Sequence, residues 1–166
     1  MEEETQNGGA ACVAEWRGEK IVRKKAVGRW CSSYVTETVA LTEGVKIIED
    51  LRPEAATICT DSQAAVRRLQ SRKVGGDKKA EELKRELRKV VERTGTRITI
   101  QWVPGHVGIE GNEEVDRRAK KARRESQDGV PIGLEAARSR VYREVQYRPR
   151  LEERLEKVYA RTRRGL

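Results

Sequence analysis

Apolar positions along the chain repeat with two different periods, one typical of β-strands and the other of α-helices. Residues 9–16 and 18–27 are two strand-like runs, the second opening with a turn-like Gly-Glu-Lys, and together they predict an antiparallel hairpin. Short β-branched or alternating runs at 56–60 and 97–103 predict two further strands. Helical spacing predicts four helices, at residues 34–51, from Asp-Ser-Gln through Leu69, at 78–93 and at 110 to about 124.

The order of these elements, β-β-α-β-α-α-β-α, is typical of an α/β protein in which a hairpin is followed by helical crossovers. It predicts a mixed sheet with helices on its faces and right-handed parallel connections. From about Gln127 the composition changes, with a linker-like Gly-Val-Pro-Ile-Gly and then apolar residues at helical spacing. We therefore expect a domain at 1–124 and a basic helical or partly disordered extension at 125–166.

The positive charge lies in the last third of the chain. The 166 residues carry 36 Lys and Arg against 27 Asp and Glu, a net charge of +9. Residues 1–116 hold 20 of each sign, whereas residues 117–166 hold 16 basic and 7 acidic side chains. A basic segment on a neutral body is typical of a nucleic-acid partner, although a solvated Arg-rich helical surface has the same composition.

Other protein classes fit the composition poorly. No apolar run approaches the roughly 18–20 residues of a membrane span, and the opening Met-Glu-Glu-Glu-Thr is unlike a signal peptide. Cys12, Cys31 and Cys59 are odd in number and far apart, which argues against a disulfide framework or a zinc site. These features predict an intracellular protein, nuclear or cytoplasmic, with no membrane partner.

Three carboxylates are placed by the predicted elements where they can meet. Asp61 follows the strand at 56–60, Glu37 lies in the first turn of the preceding helix, and Asp116 lies in the helix after a glycine-rich loop. Groups at the carboxyl ends of strands form the usual site of open α/β sheets. Carboxylates that converge need cations to offset their repulsion, and hard oxygen ligands favour Mg²⁺ or Mn²⁺.

Two such ions about 4 Å apart form the usual clamp for in-line attack at a phosphodiester. His106, in the glycine-rich loop, is then suited to proton transfer or product release. Each residue also has a simpler interpretation, since Asp61 can cap its helix and the others can be ordinary surface or loop residues. The hypothesis therefore depends on the set rather than on any member.

Two blocks of sequence are distinctive. Cys-Thr-Asp-Ser-Gln-Ala-Ala-Val at 59–66 and Trp-Val-Pro-Gly-His-Val-Gly-Ile-Glu-Gly-Asn-Glu-Glu-Val-Asp at 102–116 resemble type 1 ribonuclease H. The likeness is greatest to the domain of reverse-transcriptase polyproteins of non-LTR retrotransposons, and it covers about 8–124. Ser-Ser-Tyr-Val-Thr-Glu-Thr-Val-Ala-Leu at 32–41 is similar to the helix with that family's second acid, and Gly-Gly-Ala-Ala-Cys-Val at 8–13 to the rest of its first strand.

This resemblance implies a five-stranded mixed sheet and hydrolysis of the RNA strand in RNA–DNA hybrids, with two Mg²⁺ or Mn²⁺ ions held by four carboxylates. Glu37, Asp61 and Asp116 match the second, third and fourth of these, and His106 matches the catalytic histidine. The implied partners are the hybrid and a parent polyprotein, with no obligate oligomer. Ser62 and Gln63 lie where the family touches the hybrid. The basic side chains that follow Asp61 and Asp116, among them Arg67, Arg68 and Arg117, are suited to phosphate contacts, although a solvated helix face has the same composition.

The sequence departs from the family at the first acid, which lies in an Asp-Gly-Ser turn upstream of the paired glycines and would precede Met1. The resemblance therefore implies an impaired activity for the 166 residues. The alternative function is a non-catalytic nucleic-acid-binding remnant of the same fold. An integrase or transposase of related fold fits the order of Glu37, Asp61 and Trp-Val-Pro-Gly-His less well.

Overall fold

A computed structural model describes residues 7–72, 77–105 and 110–127, together with positions 130, 134, 137, 138, 141, 142 and 145. The order of elements is the one that the hydrophobic pattern predicts. The elements are β1 Asn7–Trp16, β2 Glu19–Arg29, α1 Ser33–Leu51, β3 Ala55–Thr60, α2 Gln63–Gln70, α3 Lys78–Thr94, β4 Arg97–Trp102 and α4 Glu110–Arg123.

Strands β1 and β2 form the predicted antiparallel hairpin, paired from Trp16 with Glu19 to Asn7 with Arg29. The chain reverses at Arg17 and Gly18, which both have positive φ values of 52° and 82°. Two consecutive left-handed residues are what a tight hairpin turn requires, because its twist then matches that of the strands.

Strands β3 and β4 pair in parallel, from Ala55 with Arg97 to Thr60 with Trp102. Their inward residues Ala56, Ile58 and Ile98 pack against the core, whereas the alternate residues of β3 are exposed. The parallel arrangement brings the carboxyl ends of both strands to one edge of the sheet.

The fold class is confirmed, but the described residues do not form the expected single five-stranded sheet. The described residues hold four strands, in two sheets of two strands each. Within this part of the chain β1 pairs with β2 alone and β3 pairs with β4 alone. The physical reason is that no described strand lies between β1 and β3 to bond to both.

Helix α1 joins the two sheets through side-chain packing. A Cβ atom placed on Gly44 would lie 3.2 Å from Cys12 Sγ in β1 and 3.8 Å from Ile58 in β3. The same helix supplies half of the main buried cluster. Its members are Leu41, Val45, Ile48, Ala65, Leu83 and Val90.

Helix α4 packs on the β1–β2 hairpin so closely that Gly9 contacts its backbone at Ala119 and Arg123. Successive strand residues point to opposite faces of a sheet. Gly9 therefore faces α4 on one side of the hairpin, and Cys12 faces α1 on the other. Beyond α4, Gln127 Oε1 accepts a hydrogen bond of 2.8 Å from the Gly28 amide. The packed chain thus extends at least three residues past 124, and the division into two domains stays a prediction.

No helix in the described ranges has the length and apolar character that crossing a bilayer requires.

Candidate active site

Asp61 lies immediately after β3, at the edge where β3 and β4 both end. The neighbouring Val103 amide donates to the Thr60 carbonyl at 2.9 Å, which extends the parallel ladder to the end of the strand. The indole Nε1 of Trp102 donates to the Asp61 carbonyl at 3.1 Å. The backbone of Asp61 is therefore fixed by the adjacent strand, while its half-buried side chain points toward the loop that follows β4.

Gly105 of that loop lies directly against the Asp61 carboxylate. A Cβ atom on Gly105 would be 2.7 Å from Asp61 Oδ2 and 3.3 Å from Asp61 Cβ. Contacts below 3.0 Å are essentially never made by real Cβ atoms, so a side chain here would displace the carboxylate. The local sequence gives no signal for this contact, because the residue that stands out in Pro-Gly-His is the histidine.

Ser62 and Gln63 follow Asp61 at the start of α2. Ser62 is buried and its Oγ accepts the Ala65 amide at 3.2 Å, which makes it the N-cap of the helix. Gln63 is exposed and its Oε1 accepts from Arg67 at 3.3 Å. Both side chains thus have local partners on the helix that begins beside Asp61.

Glu37 and Asp116 are supplied by two helices, α1, which packs on both sheets, and α4, which packs on the β1–β2 hairpin. Glu37 is the fifth residue of α1 and begins its second turn, whereas the sequence pattern predicts the first turn. Asp116 lies mid-way along α4. Both are half-buried. Packing on the β1–β2 hairpin therefore positions Asp116, packing on both sheets positions Glu37, and the end of β3 positions Asp61.

No three His, Cys, Asp or Glu side chains in the described part of the chain are grouped as a metal site. Glu37, Asp61 and Asp116 thus do not form a ready three-ligand cluster. The two sheets share no backbone ladder, so the spacing between Asp61 and the other two acids depends on helix packing alone. His106 lies outside the described residues, and the four residues as a set stay a prediction.

Arg68 connects three helices. Its guanidinium forms an ion pair with Asp77 and stacks 4.1 Å from the centre of the Tyr34 ring. Burial opposes ionisation of Asp77, but hydrogen bonds from Tyr34, the Ala80 amide and Arg68 outweigh it and lower the pKa of this carboxyl. Arg68 therefore has a structural role in addition to the phosphate contact proposed from the sequence.

Helix α4 carries two arginines that form ion pairs with Glu114 and two exposed lysines near its end. Arg118 and Arg117 pair with Glu114 at 3.1 and 3.7 Å. Hydrogen bonds from Arg118 and then Lys20 lower the pKa of the Glu114 carboxyl. Lys120 and Lys121 are exposed in the last turn of the helix, within four or five residues of Asp116.

The amino-acid sequence matches the RNase H family over residues 1–124. The chain belongs to the RNase H family. Enzymes of this family are ribonucleases that act on RNA–DNA hybrids and generally use divalent metal ions such as Mg²⁺.

Solved structures of RNase H domains have the same fold. An N-terminal RNase H domain from Mycobacterium tuberculosis, solved as a fusion with maltose-binding protein, is 19% identical with a TM-score of 0.54. That match covers 70% of this chain and 96% of the other. RNase H1 from the halophilic archaeon Halobacterium salinarum is 17% identical with a TM-score of 0.51, covering 69% and 94%. At these identities the likeness concerns the fold alone.

Proposed function

We propose that this chain is a hybrid-binding ribonuclease H domain whose hydrolysis of the RNA strand depends on the Asp61 carboxylate. The observation that carries the proposal is the placement of Asp61 in an RNase H family member. Its backbone is fixed by Trp102 and its carboxylate faces a loop glycine at the shared end of β3 and β4. Carboxyl ends of strands are where open α/β sheets carry their chemistry.

Divalent metal ions, Mg²⁺ or Mn²⁺, are the proposed cofactors. The donor chemistry fits, because Asp61, Glu37 and Asp116 offer the hard oxygen ligands that these ions prefer. When bound, two such ions activate the attacking water and stabilise the leaving 3′-oxygen. Asp61 would hold metal at the strand end, while packing of α1 on both sheets and of α4 on the hairpin would set how closely Glu37 and Asp116 approach it.

The hybrid itself is the proposed partner. Such duplexes are recognised through groove shape, sugar 2′-hydroxyls and phosphates rather than through base sequence. Gln63, Arg67 and Arg117 are exposed beside Asp61 or Asp116 and are suited to these contacts. His106 is proposed to assist proton transfer or product release.

We further propose that the domain serves a retroelement as part of a reverse-transcriptase polyprotein. The basis is the resemblance of the blocks at 59–66 and 102–116 to that group.

Cleavage of an end-labelled RNA–DNA hybrid in Mg²⁺ or Mn²⁺ tests the proposal. We expect metal-dependent cutting of the RNA strand that Asp61→Asn abolishes. Asp50→Asn is a matched control, since Asp50 is an exposed α1 carboxylate paired with Arg23, and it should cut like the unchanged chain. Cleavage that survives Asp61→Asn would contradict the assignment.

A second candidate is a hybrid-binding module without catalysis. It is favoured by the lack of a three-carboxylate cluster in the described residues. The same experiment separates the two, because a binding module retains the hybrid in a filter or gel-shift assay in both Mg²⁺ and Mn²⁺ while the labelled RNA stays intact.

A further inference from the structure

We infer that Gly105 is a positioning residue for the Asp61 carboxylate. Its lack of a side chain lets the backbone at position 105 lie against Asp61 without displacing the carboxylate oxygens. The inference rests on the proposed function, because it assumes that Asp61 binds a divalent cation.

The geometry supports this assignment at the level of individual atoms. A Cβ on Gly105 would be 2.7, 3.3 and 3.4 Å from Oδ2, Cβ and Cγ of Asp61, so its three nearest neighbours among the described residues all belong to that one side chain. The backbone of Asp61 cannot yield easily, since Trp102 holds its carbonyl and β4 holds the end of β3. The carboxylate would therefore have to rotate.

Backbone conformation does not explain the glycine. Gly18, Gly28 and Gly95 have φ values of 82°, 102° and 71°, a region that favours glycine. Gly105 is not among the described glycines with positive φ. Position 105 thus requires a small residue because a Cβ atom has no room beside the Asp61 carboxylate.

The test compares Gly105→Ala with a matched control. Gly111→Ala makes the same change on α4, where an added Cβ has no described atom within 4 Å. The readout is Tb³⁺ luminescence sensitised by tryptophan, with Mg²⁺ as competitor. Trp102 is a suitable donor because its indole bonds to the backbone of Asp61.

We expect Gly105→Ala to weaken Tb³⁺ binding about tenfold, the lower end of the range for residues that orient metal ligands. Gly111→Ala should bind like the unchanged chain. In an Asp61→Asn background, where binding is already weak, adding Gly105→Ala should cause no further loss. This non-additivity distinguishes an effect through Asp61 from a general disturbance of the loop.

The outcomes separate the two proposals. If Asp61→Asn leaves Tb³⁺ binding unchanged, the metal assignment in the proposed function is wrong and the role of Gly105 falls with it. If Asp61→Asn weakens binding but Gly105→Ala does not, only the role of Gly105 is overturned.

Thermal unfolding covers the case in which Gly105→Ala folds poorly. Asp61→Ala removes the carboxylate that the new methyl group would meet, so Gly105→Ala should cost less stability in that background than in the unchanged chain. Equal losses in both backgrounds would overturn the inference.

Discussion

At the scale of single residues, the backbone of α4 limits the size of the residue that β1 can accommodate at position 9. Gly9 faces α4, and an added Cβ would contact the Ala119 carbonyl and lie 2.6 Å from the Arg123 amide. Both atoms belong to helix backbone, which cannot turn aside as a flexible side chain can. Gly9 thus lets α4 lie against β1 at closer range than a side chain would permit.

Gly9→Ala is expected to destabilise the protein by about 1–3 kcal/mol, because overpacking forces backbone shifts. The free energy of unfolding in urea measures the effect. Gly111→Ala is the control, and it should be neutral or stabilising by up to about 1 kcal/mol, since alanine is the better helix former. Equal effects of the two substitutions would contradict the close approach at Gly9.

Cys12 and Cys59 should differ in reactivity. Burial, and then the negative charge of Glu43, raises the pKa of the Cys12 thiol to about 11. Only about one thiol in a thousand is then ionised at pH 8, and the thiolate is the reactive form. With iodoacetamide at pH 8, peptide mass spectrometry should find exposed Cys59 alkylated first, with the Cys12 rate still rising above pH 9. Alkylation of Cys12 as fast as Cys59 would contradict its burial.

At the scale of elements, local signals account for the accuracy of the sequence predictions. Helix α3 was expected at 78–93 and spans Lys78–Thr94, because Asp77 caps its start and Gly95, with φ 71°, ends it. Such caps lie within a few residues of the helices they bound. The pairing of β1 depends on residues far away in sequence, and here the expected single sheet is replaced by two.

The candidate site was predictable to the same extent. Asp61 could be placed at a strand end from the pattern of 56–60 and from family blocks. The contact of Gly105 with Asp61, and the ion pair of Arg68 with Asp77, join residues that no local pattern connects. A surface arginine beside a candidate site therefore looked available for phosphate when it also holds helices together.

Asp77→Asn tests that junction of α1, α2 and α3. Asparagine keeps the helix cap but removes the ion pair with Arg68, which is partly exposed and so worth about 0.2–1 kcal/mol. Because the folded-state pKa of Asp77 is lowered, its stabilisation is present above the unfolded value of 3.8 and is lost as the pH falls through the folded value.

We therefore expect urea unfolding to show a difference between Asp77→Asn and the unchanged chain at pH 7 that disappears in acid, below the folded-state pKa. Asp77→Ala should cost about 1 kcal/mol more at pH 7, because the cap is lost too. A difference that persists undiminished in acid would show that the ion pair is not its source.

At the scale of the whole molecule, charge is distributed unevenly around the proposed hybrid site. The excess of nine positive charges begins at the helix that carries Asp116. Lys120 lies one helical turn beyond Asp116, on the same side of α4. A polyanion bound at Asp61 and Asp116 would thus meet lysines at the end of α4.

Lys120→Gln combined with Lys121→Gln should weaken hybrid binding and reduce the slope of log affinity against log salt by about 1–2, if each lysine neutralises one phosphate. Arg85→Gln with Arg88→Gln removes the same charge from α3 and is the control. Fluorescence anisotropy across a salt series measures both slopes. Equal reductions would indicate a general effect of net charge instead of a local footprint.

The contact of Gly44 with Cys12 and Ile58 has a consequence for how such domains evolve. Because one helix position touches both sheets, enlarging any of the three side chains must be matched by the other two. Across homologous sequences we expect these positions to covary in volume, with a larger residue at 44 accompanied by smaller ones at 12 and 58. Independent variation at the three positions would show that the sheets adjust separately.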